Sequence, residues 1–221
     1  MKLRRLAMLL ESLEPHPSPT PKLEQYTITG EDAARFLWLI KDWLEGSVVV
    51  DLGCGTGRLT VGAALLGAAL AIGVDVDATA LNVAKLNASR AGVGDRTSWL
   101  RAFIPHLSVK GDIVVQNPPF GVQRRGADKA FIQCALRTAP LSFSLHKRSL
   151  RSREFIKGLV KSLGGVAEVV TTLRLRIPHV FSFHEERFRL VEVDVFLFKR
   201  GSASPMNAGH EGTTLRAGAQ P

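Results

Sequence analysis

The chain has 221 residues, 45% of them hydrophobic and 22% charged, which supports one large domain with a real core. No run of 18 apolar residues occurs, so no helical membrane span is expected; two cysteines (Cys54 and Cys134) could in principle pair, but their spacing suggests neither a disulfide framework nor a metal site, which favours a cytoplasmic protein. A net charge of +9 with a pI of about 10.1 favours a polyanionic partner.

In chain order, MKLRRLAMLLESLEP has an apolar run too short and too interrupted by Glu11 and Glu14 for a signal peptide, and reads as an amphipathic helix. PHPSPTP (15–21) reads as a stiff linker, and 31–45 as a second amphipathic helix. Strands are expected at 48–52, 69–76, 97–102, 111–117 and 141–146. Helices at 58–67, 78–92, 127–139 and 149–164 alternate with them. Two long β-type runs, 166–175 and 189–199, have no clear helix between them and predict a hairpin. The pattern is an α/β fold: a mostly parallel seven-stranded sheet with one antiparallel strand and helices on both faces. Residues 1–45 read as an N-terminal helical extension and linker, 46–200 as the main domain, and 201–221, rich in Gly, Ala, Ser and Thr, as a disordered tail.

DLGCGTGRL follows the first strand and opens the first helix of the α/β unit. Gly53, Gly55 and Gly57 let the backbone turn tightly and approach a ligand, and the helix N-terminus offers free N–H groups. Asp75, at the end of the second strand and 22 residues after Gly53, can accept both hydroxyls of a ribose. The spacing is G-x-G-x-G, not the dinucleotide G-x-G-x-x-G, and Asp51 stands just before it. A carboxylate there repels a pyrophosphate but attracts an ammonium or sulfonium. That favours S-adenosylmethionine over NAD, with capping of backbone N–H groups as the structural alternative for Asp51.

QNPPF leaves the fourth strand at the same edge of the sheet. The Asn117 side-chain oxygen and the Pro118 carbonyl can each accept one N–H of a planar amine. Pro118 and Pro119 stiffen the turn, and Phe120 can stack on a base. The simpler alternative is a Pro-Pro turn that merely ends a strand. From Gln123 to Lys161 there are ten Arg or Lys against two acids, an excess that begins beside this turn. It reads as a nucleic-acid face, the alternative being a solvated helix surface.

DLGCGTG (51–57) with NPPF (117–120) resembles the amino-group branch of the class I, Rossmann-like S-adenosylmethionine-dependent methyltransferases. With LEQY (23–26), GVDVDATAL (73–81), GADKAF (126–131), SLHK (144–147) and IPHVFSFHEERFRLVEVDVFLF, the chain resembles the methyltransferase-like protein 5 family over residues 3–199. That family makes N6-methyladenosine in small-subunit ribosomal RNA. The resemblance implies that Gln25 and Ile28 lie over the cofactor. Gly53, Gly55, Thr56 and Arg58 surround its methionine end, with Asp75 and the adjacent Val76 at the ribose. Asn117, Pro118, Pro119 and Phe120 form the catalytic tetrad, with Asn117 also beside the cofactor. Two departures stand out: Ile28 replaces a common Thr, and Ala102 stands where an Asp would contact the adenine amine. The backbone N–H of Ala102 or Phe103 is the expected substitute. Arg124, Arg125, Lys147 and Arg148 are expected to meet RNA phosphates, whereas His146 reads as a surface or hydrogen-bonded histidine. Members of the family pair with a zinc-binding activator of the Trm112 type, which adds to a sheet edge.

Two other functions compete with an RNA adenine-N6 methyltransferase. A protein glutamine N5-methyltransferase of the release-factor type grips an amide by the same two acceptors, but carries Tyr where Phe120 stands. A non-catalytic RNA-binding module on the same fold is the second, favoured by Ala102 and opposed by the intact Asp75 and Asn117-Pro-Pro-Phe.

Overall fold

The runs rich in Val, Ile and Leu become the strands. A computed structural model describes residues 1–19, 28–119, 127–178 and 188–201. Strands β1 (Val48–Leu52), β2 (Leu70–Asp75), β3 (Thr97–Arg101), β4 (Ile113–Gln116) and β5 (Leu141–Lys147) run parallel. β7 (Phe188–Arg200) is antiparallel to both its neighbours, β5 and β6 (Gly165–Pro178). The order β3-β2-β1-β4-β5-β7-β6 gives the expected seven-stranded sheet with one antiparallel strand.

Helices cover both faces, which is why the parallel strands read as nearly continuous apolar runs. On one face Val49, Val115, Phe143, Val193 and Val195 pack under α1 (Leu3–Glu11), α2 (Gly30–Leu39) and α4 (Arg58–Leu65), through Leu6, Leu10, Phe36, Leu37 and Val61. On the other face Val50, Leu52 and Val114 meet Cys134 and Ala135 of α6 (Ala127–Thr138). Further along, Phe196 and Phe198 pack with Ile132 and Leu136 of α6 and Ile156 and Val160 of α7 (Leu150–Ser162). Helix α5 (Ala78–Arg90) is capped by Asp77, whose carboxylate accepts the Thr79 and Ala80 N–H groups.

The helix expected over 31–45 is broken. Helix α2 stops at Leu39, Ile40 turns out of helical geometry (φ −113°, ψ 12°), and α3 (Lys41–Leu44) restarts. The segment FLWLI is apolar on all sides, so one straight helix cannot point it all inward. The break buries both Ile40 and Leu44 completely. The start of α2 is fixed by Thr29, whose hydroxyl accepts the Asp32 N–H at 3.1 Å. A Cβ on Gly30 would sit 2.2 Å from the Glu11 nitrogen, so α1 and α2 cross at a distance that admits glycine alone.

The β6–β7 hairpin outruns β5, which pairs with Val193–Lys199 of β7. Its extension is tied to α2: the Arg176 N–H donates to Asp32 at 2.8 Å, and the Arg176 guanidinium pairs with Glu31 at 3.0 Å. Strand order reverses between β1 and β4, which puts a ligand site beyond their carboxyl ends.

Candidate active site

The glycine loop leaves β1 with Gly53, Gly55 and Gly57 all at positive φ (72°, 53° and 85°). Side chains are excluded there by contact as well, since a Cβ on Gly57 would lie 2.7 Å from the Trp99 ring. The loop is anchored to β2: Gly53 and Cys54 donate to the Val74 carbonyl at 2.8 and 3.0 Å, and Gly55 donates to the Asp75 carboxylate at 2.8 Å. The other Asp75 oxygen accepts the Asp77 N–H at 3.0 Å. The acid expected at the ribose therefore also holds the loop and the entry to α5. Val76 follows it, partly exposed, and its carbonyl accepts the Arg101 side chain at 3.1 Å.

Asp51 is buried beneath this loop. One carboxylate oxygen accepts both the N–H and the hydroxyl of Thr60, at 3.0 and 2.7 Å. The other oxygen has no hydrogen-bond partner among the described residues. Burial pushes the Asp51 carboxyl up to about 7, against the two Thr60 hydrogen bonds and with some help from nearby Asp75. Thr56 is buried with its hydroxyl likewise unpartnered.

Arg58 opens α4, and two of its guanidinium nitrogens are committed to the protein, while its Nε is buried with no partner among the described residues. The guanidinium donates to the Ile28 carbonyl and, at 3.4 Å, to the Leu13 carbonyl. Burial lowers its pKa below the ordinary arginine value. It thus holds Ile28, which is buried, next to the glycine loop. Ala102 is also committed: its N–H extends the β2–β3 ladder by donating to the Asp75 carbonyl at 3.0 Å. Of the two backbone donors expected at the adenine ring, the Phe103 N–H is the one that does not belong to this ladder bond.

Asn117 follows β4 directly, and its side-chain oxygen is buried without a partner among the described residues. Pro118 is buried behind it. Val115 and Gln116 of β4 pair in register with Asp51 and Leu52 of β1, so the Asn117 turn and the glycine loop leave adjacent strands at the same end. Gln116 points its amide into the sheet, donating to Ser144 at 2.9 Å, and Ser144 bonds His146 at 2.7 Å. His146 is buried against Phe196 and Phe198, and burial pulls its pKa down to about 3. It is a neutral, hydrogen-bonded core histidine. Lys147 and Arg148 are exposed just beyond it, and Arg148 pairs with Glu192 at 3.0 Å. Gln25, Phe120, Arg124, Arg125 and residues 202–221 lie outside the described residues.

The sequence gives no sign of one further set of contacts. His16, in the Pro-rich linker, is 3.0 Å from Asp77. Its Nδ1 accepts the Ser18 N–H, so Nε2 carries the proton and donates to the carboxylate. Buried Asn87 of α5 accepts the Glu14 N–H and donates to the Glu14 and Thr56 carbonyls. The N-terminal segment is thereby pinned to the loop and to the N-cap of α5. These bonds span 31 to 73 residues of sequence.

A family model for ribosomal protein L11 methyltransferase (PrmA) matches residues 36–118, the part that carries the glycine loop and reaches the Asn117 turn. The rRNA N6-adenosine-methyltransferase metl-5 of Caenorhabditis elegans is 34% identical over 210 residues, spanning 89% of this chain and 97% of its own. The chain belongs to the METTL5 family. A candidate RNA methyltransferase from Pyrococcus horikoshii has a similar crystal structure, with a TM-score of 0.84 and 33% identity, over 91% of this chain and 99% of that one. The METTL5 fold extends at lower identity to magnesium protoporphyrin IX methyltransferase of Synechocystis PCC 6803 with bound S-adenosylmethionine: 19% identity and a TM-score of 0.57, over 76% of this chain and 77% of that one.

This METTL5 member is an S-adenosyl-L-methionine-dependent methyltransferase, and its own residues fit that cofactor. Asp51 keeps one buried oxygen for a cationic group, the positive-φ glycines bring backbone close, and Asp75 stands at the end of β2. Among the described residues no cluster of His, Cys, Asp or Glu could hold a metal ion, and no helix is long and apolar enough to cross a membrane.

Proposed function

We propose that this enzyme methylates N6 of an adenosine in small-subunit ribosomal RNA. One observation carries the reading: the buried, unpartnered Asn117 oxygen at the carboxyl end of β4, beside the glycine loop. A buried acceptor left unpaired costs roughly 1–3 kcal/mol, so the turn favours a ligand that brings an N–H donor. The exocyclic amine of adenine is such a donor. Asn117 and the Pro118 carbonyl each accept one of its hydrogens, which draws the nitrogen lone pair out of conjugation and aims it at the methyl group. The cofactor supplies that methyl group in activated form. Stiff Pro118 and Pro119 hold the two acceptors still, and the alkylated, cationic nitrogen loses its extra proton to water, so catalysis is positioning plus electrostatics, with no strong base. Gln25 and Ile28 close over the cofactor in this reading, with Thr56 and Arg58 near its methionine end and Phe103 near its adenine. Phe120 stacks on the target base. Arg124, Arg125, Lys147 and Arg148 meet the phosphates.

A zinc-binding activator of the Trm112 type belongs to the same proposal. Strand β3 lies at the edge of the sheet, with Leu86, Leu100 and Phe103 exposed around it. Unpaired strand groups flanked by apolar side chains suit an added strand. Action in the cytoplasm goes with that substrate.

The test is transfer of labelled methyl groups to unmethylated small-subunit RNA, with and without the activator, followed by digestion to nucleosides. N6-methyladenosine is the expected product. Its absence in both arms, or label in a glutamine-containing peptide instead, overturns the reading.

A further inference from the structure

Gly158 is a residue of α7 that the fold does not explain. It is exposed in the helix interior with no positive φ, where glycine weakens a helix relative to alanine. Gly62 of α4 has a packing reason, since a Cβ there would fall 2.3 Å from Leu37. A Cβ on Gly158 meets nothing within 4 Å. Among the described residues, nothing needs the bare backbone there.

Gly158 lines a shallow, open groove of about 350 Å³ between α6 and α7, with Lys129, Glu154, Phe155, Leu159 and Ser162. Arg151, Phe155, Gly158 and Ser162 follow one another at spacings of four, three and four, which is one stripe of a helix. Phe155 is 45% exposed, and the glycine one turn on leaves its ring uncovered. Lys129, Arg151, Lys157 and Lys161 form no ion pair among the described residues, and Glu154 is the single acid lining the groove. Short connections join the stripe to the site: α7 begins three residues after Lys147, and α6 begins eight residues after Pro119, at most about 29 Å of chain.

We propose that this groove is a stacking subsite for single-stranded RNA flanking the target adenosine. A base lies flat on Phe155 across the bare backbone of Gly158, and Lys129 and Arg151 take the adjoining phosphates. Positive charge beside an uncovered aromatic ring is the combination that binds single strands without reading their sequence. The proposal rests on the RNA reading above.

Gly158→Ala separates a binding role from a structural one. The wild type, Gly158→Ala, Phe155→Ala and Phe155→Trp are compared for melting temperature, cofactor affinity, affinity for a labelled small-subunit RNA fragment, and methylation kinetics. Gly158→Ala is expected to melt higher yet bind RNA several-fold more weakly. Phe155→Ala should lose about tenfold in RNA affinity, and Phe155→Trp should keep it. In the weakened variants KM for RNA should rise more than kcat falls, with cofactor affinity unmoved. If the wild type methylates RNA and both alanine variants bind it equally well, the subsite is wrong and the RNA reading stands. If the wild type neither binds nor methylates RNA, the reading fails and the subsite with it.

Discussion

Asp51 and Thr60 are joined twice through a single carboxylate oxygen, by the Thr60 N–H at 3.0 Å and its hydroxyl at 2.7 Å. The second Asp51 oxygen is buried and bare among the described residues. This asymmetry makes Asp51 costly to the fold and useful to a cation.

The cost has a definite pH dependence. Asp51 titrates at 3.8 when exposed and at about 7 in the fold. Below 3.8 it is neutral in both states and no penalty exists. As pH rises toward 7 the unfolded chain gives up the proton while the folded one keeps it, so stability falls, by on the order of 4 kcal/mol once pH passes 7. A bound cationic group favours the ionised carboxylate, so cofactor affinity should climb from pH 6 to pH 8. Asp51→Asn should melt higher than wild type at pH 8, bind cofactor about tenfold more weakly, and lose that climb. Calorimetric titration at both pH values, with melts alongside, checks all three.

Asn117→Ala should lower kcat by about 10²–10³-fold, the range seen when a single preorganised polar group is removed from a reacting centre. Melting temperature and cofactor affinity should hold, because the deleted oxygen has no partner among the described residues to strand. Single-turnover methylation beside cofactor titration is the measurement. Retained transfer would remove Asn117 from the site.

Gly30→Ala should destabilise the protein by roughly 1–3 kcal/mol or undock α1, since its Cβ would overlap Glu11 backbone that cannot swing aside. Urea unfolding followed by circular dichroism gives the size of the effect.

His16→Ala should weaken cofactor binding about fivefold, the value of one hydrogen bond to a partly buried carboxylate. His16 touches the N-cap of α5, two residues beyond Asp75, so its loss loosens the rim of the site and leaves kcat at saturating cofactor near wild type. A matching fall in kcat would place His16 in the chemistry.

Much of this architecture is legible in the sequence, because strands, glycine loop and the Asn117 turn follow from local rules. Alternation of β-branched runs with helical patterns yields the sheet, and DLGCGTG and NPPF stand at strand ends where ligands collect. The missing parts all depend on distant partners. Nothing in the glycine loop announces that the Arg58 guanidinium also holds the Leu13 and Ile28 carbonyls. Ala102 looks like a free donor until the β2–β3 register hands its N–H to Asp75. The break at Ile40 follows from which side chains must be buried, and helical periodicity alone does not reveal that. His16 and Asn87 act on groups more than 30 residues away, and nothing beside them in the chain marks the bond.

The position of β7 has a consequence for how the protein is made. It is the strand latest in the sequence, yet it lies inside the sheet, between β5 and β6. Until residues 188–200 leave the ribosome, β5 presents a bare edge and β6 has no neighbour, while the cofactor half is already complete. Once it emerges, β7 pairs with β6 as a hairpin and joins that hairpin to the open edge of β5. Pairings of long sequence separation form slowly, and open edges invite the wrong partner in the interval. Synthesis therefore completes the strands that carry the glycine loop and the Asn117 turn before the strand that joins β6 to the rest of the sheet.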